Sequence, residues 1–362
     1  MLFYFFPCGL EEAYSVSYQI LNKPGGSIYY RLNVTIQQSL YDYYHGKSHT
    51  LNSEADFAKF VTPYALKPIA DNLWEIYSDD EDFANGVLMT VHQIPYDVTE
   101  PARYPVETMV ENRGDCDLFS FVAASIMKAG GLDVVLFYYE EEAHMNVGVN
   151  LSHAPHDARG QVYYITYNNI KYYIAECTGH FQDGWRVGEC PDSLKSASVE
   201  VITLENCEQS SPGQVSASYK PLTASTISLN VSSSYVISQD TVTLNGKISP
   251  ALQNKTVTIY VSVNNSPWKV LGTTTTDSHG RFTYVWNVET SAGVCFVRAS
   301  WSGDYDYAGA DSPIQTITIL STFFILLLTA TMILVCMGII IFIASKQTQQ
   351  TIQEPQPPEI PS

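Results

Sequence analysis

From residue 222 to 320 the sequence alternates apolar and polar side chains in short runs broken by turn residues, and that pattern leaves few folds open. STISLNVSSSYV, DTVTLNGKISP, KTVTIYVSVNN, WKVLGTTTT, GRFTYVWNV, GVCFVRASW and SPIQTITIL read as seven strands. A period of two puts every second side chain on one face, so each run buries one face and wets the other. Seven such runs between turn signals predict an antiparallel sandwich of about 100 residues. Cys295 is the only cysteine in the stretch, which excludes a disulfide within it. The module carries no recognisable chemistry and reads as a stalk or spacer.

Charge separates this module from the rest. The 362 residues carry 37 acidic and 19 basic side chains, a net charge of -18. So acidic a chain is not a nucleic-acid binder, because phosphate contacts need a dense Lys/Arg surface. Residues 222–320 hold six acidic and five basic side chains, and the tail beyond 320 holds two and one. About -16 of the charge therefore falls on residues 1–221. With 45% hydrophobic residues and 15% charged, the chain has the composition of a folded protein.

Residues 322–344, TFFILLLTATMILVCMGIIIFIA, hold no charged side chain. As a helix they would span about 34 Å, enough for a ~30 Å hydrocarbon core, so one transmembrane helix is expected there. Lys346 is the only basic residue beside it. The positive-inside rule then places the Pro- and Gln-rich tail 345–362 in the cytoplasm, disordered, and residues 1–320 outside a cell membrane. Sequons at Asn33, Asn150, Asn230, Asn254 and Asn264 agree with an extracellular location. Residues 1–14, which include MLFYFFPCGL, have an apolar stretch without a basic n-region and are expected to be the remnant of a signal segment. The competing arrangement is a tail-anchored protein with its domains in the cytoplasm.

The acidic module, residues 15–221, opens with hairpin-like sequence, AYSVSYQIL and SIYYRLNVTIQQ across NKPGG. Helical stretches follow around 55–77 and 79–95. In GDCDLFSFVAASIMKAGG, Asp115 is placed to cap a helix that Cys116 opens and that Gly130 and Gly131 end. Leu118, Phe121, Val122, Ile126 and Ala129 give it one apolar face. Cys116 thus stands at the positive end of a helix dipole, which favours a thiolate. Asp115 and Asp117 oppose that unless a cation stands nearer. VVLFYY, EEEA and HMNVGVNL read as strand, turn and strand with His144 opening the second strand, and KYYIAECTG brings a third strand ending at Glu176. Alternation puts His144, Asn146 and Gly148 on one face, and Tyr172, Ile174 and Glu176 on one face of their own strand. A Cys–His pair generates a nucleophilic thiolate, and a carboxylate fixes the imidazole tautomer. The Cys116 N–H is a natural oxyanion donor at a helix start, with Asn112 and Tyr104 as candidates for the second.

A Gly-Asp-Cys that opens a helix, a His that starts a strand some thirty residues on, and an acid in an E-C-T-G strand end resemble the transglutaminase-like branch of the papain-like fold. The resemblance covers residues 15–205. It implies an α+β papain-like/transglutaminase-like domain with Cys116 as nucleophile, His144 as general base and acid, and Glu176 as orienting carboxylate. The family more often has Asp at the third position and an aromatic or hydrophobic residue after the His, so Glu176 and Met145 depart mildly. The run GVCFVRASWSGDYDYAGADS resembles the closing strands of bacterial and archaeal Ig-like surface domains, which implies an all-β Ig-like sandwich for 222–320.

Other clusters read more plainly. His153, His156 and Asp157 lie in a polar loop without further ligands at zinc spacing, so neither a metal nor a cofactor is expected. Glu140, Glu141 and Glu142 form a solvated turn. An oxidising compartment would permit one disulfide, Cys190–Cys207 or Cys177–Cys190. The leading expectation is a membrane-anchored, cell-surface thiol enzyme. It would act on amide or peptide bonds of a protein or peptide substrate through a thioester, with hydrolysis favoured over transamidation. The alternative is a catalytically silent adhesion or assembly protein that keeps the fold as a scaffold.

Overall fold

The NKPGG turn closes a hairpin of β1 (Ala13–Leu21) and β2 (Tyr29–Gln37), paired from Ala13↔Gln37 to Leu21↔Tyr29. Gly25 sits at φ +69, a left-handed conformation open to glycine without steric cost. The structure is a computed structural model that describes residues 13–181, 183–220, 223–289 and 292–351. It is a mixed α/β chain with four sheets among the described residues. The chain turns from β2 directly into α1 (Gln38–His45). It then passes a short 3₁₀ turn at Glu54–Phe60 and forms α2 (Pro63–Ile76) with proline in its first turn, where no N–H is missed. Helix α3 (Asp80–Val91) is capped by Asp79, whose carboxylate accepts the Glu81 and Asp82 N–H groups. A fourth helix, α4 (Pro105–Glu111), leads to α5 (Cys116–Ala129).

Helix α5 is the centre of the head. Every residue from Leu118 to Met127 is buried, because α2, α3 and a sheet enclose it. That sheet comprises β3 (Asp133–Tyr139), β4 (His144–Asn150), β5 (Tyr164–Tyr167), β6 (Ile170–Ala175) and β7 (Glu200–Thr203) in the antiparallel order β5-β6-β4-β3-β7. Met145, Val147 and Val149 point into the core shared with α5. Val135, Phe137, Tyr139, Tyr172 and Ile174 form a second cluster on the other face with Cys190 and Leu194. A sheet covered on both faces explains the nearly unbroken apolar run of β3. Gly148 is required there: a Cβ would stand 2.3 Å from the Phe137 ring. Strand β8 (Ser216–Ser218) returns to pair with β2 and completes the hairpin sheet.

Nine strands, rather than seven, follow among the described residues. They are β9 (Thr226–Val231), β10 (Tyr235–Ile237), β11 (Thr241–Ser249), β12 (Thr256–Val263), β13 (Lys269–Thr275), β14 (Arg281–Asn287), β15 (Gly293–Gly303), β16 (Ala308–Asp311) and β17 (Gln315–Leu320). One sheet has the order β14-β11-β9, the other β10-β17-β15-β12-β13 with β16 added along β15. Their inward residues, among them Leu229, Leu244, Ile259, Phe282, Val297, Trp301 and Ile317, form one core. The two extra strands, β10 and β16, are of three and four residues, too short for alternation to reveal. The sandwich meets the head at the β2–α1 corner: Gln37 donates to the Ser302 carbonyl at 2.9 Å, and the Ser39 N–H and hydroxyl donate to the Asp311 carboxylate at 2.6 and 2.7 Å.

One sequence expectation is overturned. Among the described residues no helix is long and apolar enough to cross a membrane. The transmembrane helix at 322–344 is therefore withdrawn from the fold class, and with it the membrane contact, the cell-membrane localisation and the sidedness assigned to the tail. The chain is helical over α6 (Thr322–Thr351). Helix α6 also carries residues 345–351 of the expected disordered tail. Residues 1–12 of the expected signal remnant and residues 352–362 lie outside the described residues.

Candidate active site

The site begins where the chain is bent into α5. Gly114 pairs with Tyr96: its N–H donates to the Pro95 carbonyl at 3.3 Å, and its carbonyl accepts the Asp97 N–H at 2.7 Å. Its neighbour Asp115 is extended, and its carboxylate accepts the Thr99 N–H at 2.8 Å. Cys116 follows as the first helical residue, half-buried and not in a disulfide. The Cys116 thiol faces the carbonyl of Ala143 at 3.8 Å. Ala143 ends the β3–β4 turn at φ +47, a strained conformation for a residue with a Cβ. Ser120, one turn into α5, has its hydroxyl 2.7 Å from the Cys116 carbonyl and 3.1 Å from the Met145 carbonyl, which ties the helix start to β4.

Strand register brings the other two residues in. Val147 pairs with Ala175 and Gly148 with Ile174, so Glu176 lies opposite Asn146, and His144 is two residues further along the same face. His144 Nε2 stands 2.9 Å from Glu176 Oε2, which leaves Nδ1 for the thiol. Burial disfavours the charged imidazole, but hydrogen bonds with Cys116 and Glu176 and the charges of both override it, and His144 is pushed up to about 10. Glu176 is fully buried. Burial alone would raise its carboxyl; the His144 and Thr178 hydrogen bonds outweigh that and hold it below the ordinary carboxylate range. Thr178 donates to Oε1 from its N–H at 2.9 Å and its hydroxyl at 2.6 Å, and Asn146 donates to Oε2 at 3.1 Å. Behind them the buried His92 has its Nε2 3.0 Å from the Glu176 carbonyl.

The two aspartates flanking Cys116 oppose a thiolate less than their formal charges suggest. Burial, a hydrogen bond to Asp115 and the charge of Asp115 push the Asp117 carboxyl well above the ordinary range. Asp117 therefore holds its proton more readily than an ordinary aspartate, which weakens its opposition to a thiolate beside it.

Tyr104 and Asn112 are placed by α4. Tyr104 precedes its first residue, and its buried hydroxyl donates to the Ser48 carbonyl at 3.1 Å; Asn112 ends it in a left-handed conformation, φ 50. Four residues near the site escaped the sequence reading. Strand alternation puts Asn146 on the His144 face, and Thr178 lies in the same E-C-T-G run, so both carry a sequence signal. His92 and Tyr96 had none. Tyr96 is 60% exposed at the bend before α5, and burial and then the charge of Cys116 raise its hydroxyl.

The polar loop at His153 and His156 gathers more ligand-type groups than expected, because Asp79, Asp80 and Glu81 approach it from the start of α3. Most of those carboxylates already hold the loop: Ser152 N–H donates to Asp80, the His156 and Asp157 N–H groups to Glu81, and His153 pairs with Asp79 at 2.8 Å. The rings of His153 and His156 stack at 13°, and one ligand atom each of His153, His156 and Glu81 lies within 4.8 Å of the others. Cys177, Cys190 and Cys207 are buried free thiols, and neither of the two disulfides that an oxidising compartment would permit is formed. A cleft lined in part by Leu21, Met89, His92, Phe181 and Trp185 shares His92 with the site but includes neither Cys116, His144 nor Glu176.

No protein-family model matches the chain, and no curated protein matches it. Solved structures offer weak likenesses. The crystal structure of red sea bream transglutaminase aligns at 9% identity over 86% of this chain and 74% of that one, with a TM-score of 0.23. A chitin binding domain from Burkholderia pseudomallei aligns at 13% identity over 24% of this chain and 56% of that one, TM-score 0.19. BslA, a bacterial hydrophobin, aligns at 13% identity over 28% of this chain and 98% of that one, TM-score 0.18. The chain spans about half the length of the chitin-binding-domain chain. Likenesses this slight carry no argument about function, and none identifies the sandwich as an Ig-like domain. The comparisons leave a weak structural similarity to a transglutaminase and no assigned family.

Proposed function

We propose that the head is a thiol enzyme that acts on amide bonds of protein or peptide substrates through Cys116, His144 and Glu176. The observation that carries this reading is His144 bonded to Glu176 through Nε2 while its other side meets the thiol of Cys116. The Cys116 thiolate attacks the substrate carbonyl carbon. The Cys116 N–H, which has no intrahelical partner at the first helical position, donates to the oxyanion. His144 gives its Nδ1 proton to the leaving amine, and a thioester remains on the sulfur. His144 then takes a proton from water, which attacks the thioester and regenerates the thiol. An amine in place of water gives transamidation. Hydrolysis is favoured because Cys116 is only half-buried and Tyr96 beside it is mostly exposed, so nothing in this geometry keeps water out.

A slow amide or ester substrate tests the reading. Intact-mass analysis is expected to find one acyl group on Cys116, discharged by hydroxylamine; a substrate that turns over with no such adduct would falsify the scheme. The pH dependence has a definite sign. The protonated His144 that must supply the leaving amine is lost as pH rises through about 10. Acylation should therefore hold up to that region and decline above it. The same proton stabilises the fold fully below the ordinary histidine value near 6.5, and that contribution disappears as pH rises through about 10. An alkaline limb of kcat/KM near 7 would rule out the ion pair.

Glu140, Glu141 and Glu142 are exposed on the turn that carries Ala143, so chains rich in lysine or arginine are the favoured substrates. A basic peptide should be processed faster than an acidic isomer at low salt, and the difference should shrink by 0.5 M salt. Equal rates at low salt would remove charge as a selector.

A further inference from the structure

We propose that Asn146 is a positioning residue for the site, holding Glu176 in the one orientation that presents Oε2 to His144; this rests on the catalytic reading of Cys116, His144 and Glu176. Glu176 is a carboxylate with no solvent exposure, and such a group stays ionised only when its lone pairs are met by donors. Two of those donors, the N–H and hydroxyl of Thr178, come from two residues along the same chain segment and both bind Oε1. They move with Glu176 and do not fix it relative to β4. The link across strands is made at Oε2, by His144 at 2.9 Å and Asn146 at 3.1 Å.

Of these two, His144 must stay free to change its protonation during the reaction. Asn146 has no such task and does not titrate. It stands directly opposite Glu176 in the β4–β6 register, is wholly buried, and faces the buried Tyr139 hydroxyl as well. The amide is tied to Glu176 through its nitrogen, while its Oδ1 and the Tyr139 hydroxyl have no hydrogen-bond partner among the described residues. A glutamate has one more rotatable bond than an aspartate, and each unfixed rotor costs orientation. Asn146 removes that freedom. A further consequence is that Glu176→Asp is not a conservative change here: one methylene shorter, about 1.5 Å, the carboxylate cannot reach His144 and Asn146 together.

The test uses Asn146→Leu, similar in volume and without a donor, alongside wild type. The titration of Glu176 is followed by carboxyl ¹³C NMR in protein labelled at glutamate, and kcat and KM are followed with a peptide amide. Besides His144, the titratable groups facing this carboxyl are His92, Tyr96, Tyr139, Cys177 and Cys190, and none of them is altered. Loss of one donor to the charged form is expected to raise the Glu176 midpoint. It should also lower kcat roughly tenfold or more with KM little changed. An unchanged Glu176 midpoint overturns the proposal whatever happens to kcat. A raised midpoint with wild-type kcat overturns the catalytic half of it. A wild type that never turns over overturns the catalytic reading instead, and the NMR arm still decides the Asn146–Glu176 contact. If the leucine variant does not fold, Asn146→Ala carries the same two measurements.

Discussion

Cys116→Ala is expected to remove essentially all amide turnover, a fall in kcat of about 10³-fold or more, with substrate affinity and melting temperature close to wild type. The thiol is the only group at the site that can form the thioester, so water must attack the amide directly once it is gone. Little of the fold depends on it: the sulfur is half-buried and, besides meeting His144, stands 3.8 Å from the Ala143 carbonyl. His144→Ala should cost nearly as much, and the double variant scarcely more than either single one, because the two act as a unit. Activity-based labelling of wild type, Cys116→Ala and His144→Ala with a thiol-reactive amide mimic checks this directly. Equal labelling of wild type and Cys116→Ala would leave the head as a scaffold that binds without reacting.

What was legible in the sequence followed from local rules. Gly-Asp-Cys before an apolar helical stretch marks a helix start, and α5 begins at Cys116 and ends at Gly130. Strand alternation placed His144 and Asn146 on one face and Glu176 at the end of its strand, and pairing across β4 and β6 makes the two faces the same. That last step is a register, which depends on the turn and on the core beneath, and alternation alone does not specify it. Contacts of long sequence separation left no trace at all: His92 reaches Glu176 over 84 residues, and the Asp79–Glu81 turn meets His153 over 70 or more. The raised Asp117 carboxyl was hidden for a different reason. Formal charge can be counted from a sequence, but burial decides whether a carboxyl keeps it. The uncharged run at 322–344 is helical as read, but among the described residues no helix is long and apolar enough to cross a membrane.

Arg298→Ala is expected to be the most damaging single change at the junction of head and sandwich, costing about 3–5 kcal/mol in denaturant unfolding. Arg298 rises from β15 and is 2% exposed. It reaches Asp42 in α1 at 2.8 Å, lies 3.9 Å from the Asp311 carboxylate, and stacks over Trp268 at 4.5 Å. Alanine leaves Asp42 and Asp311 without their cation, opens space beside Trp268 and loses the cation–π contact, each of which is unfavourable. Asp311 retains the two donors from Ser39, which limits the loss and argues for the lower half of that range. The guanidinium is not perfectly matched either, for its buried Nε has no hydrogen-bond partner among the described residues. Arg298→Met, which fills the space and removes that orphaned donor, should therefore cost clearly less than alanine. The comparison pair is Lys255 and Asp304, 2.7 Å apart but about a third exposed, where Lys255→Ala should cost no more than about 1 kcal/mol. If Arg298→Ala and Lys255→Ala prove equally mild, the junction is held by its serine and glutamine hydrogen bonds and the buried arginine is dispensable.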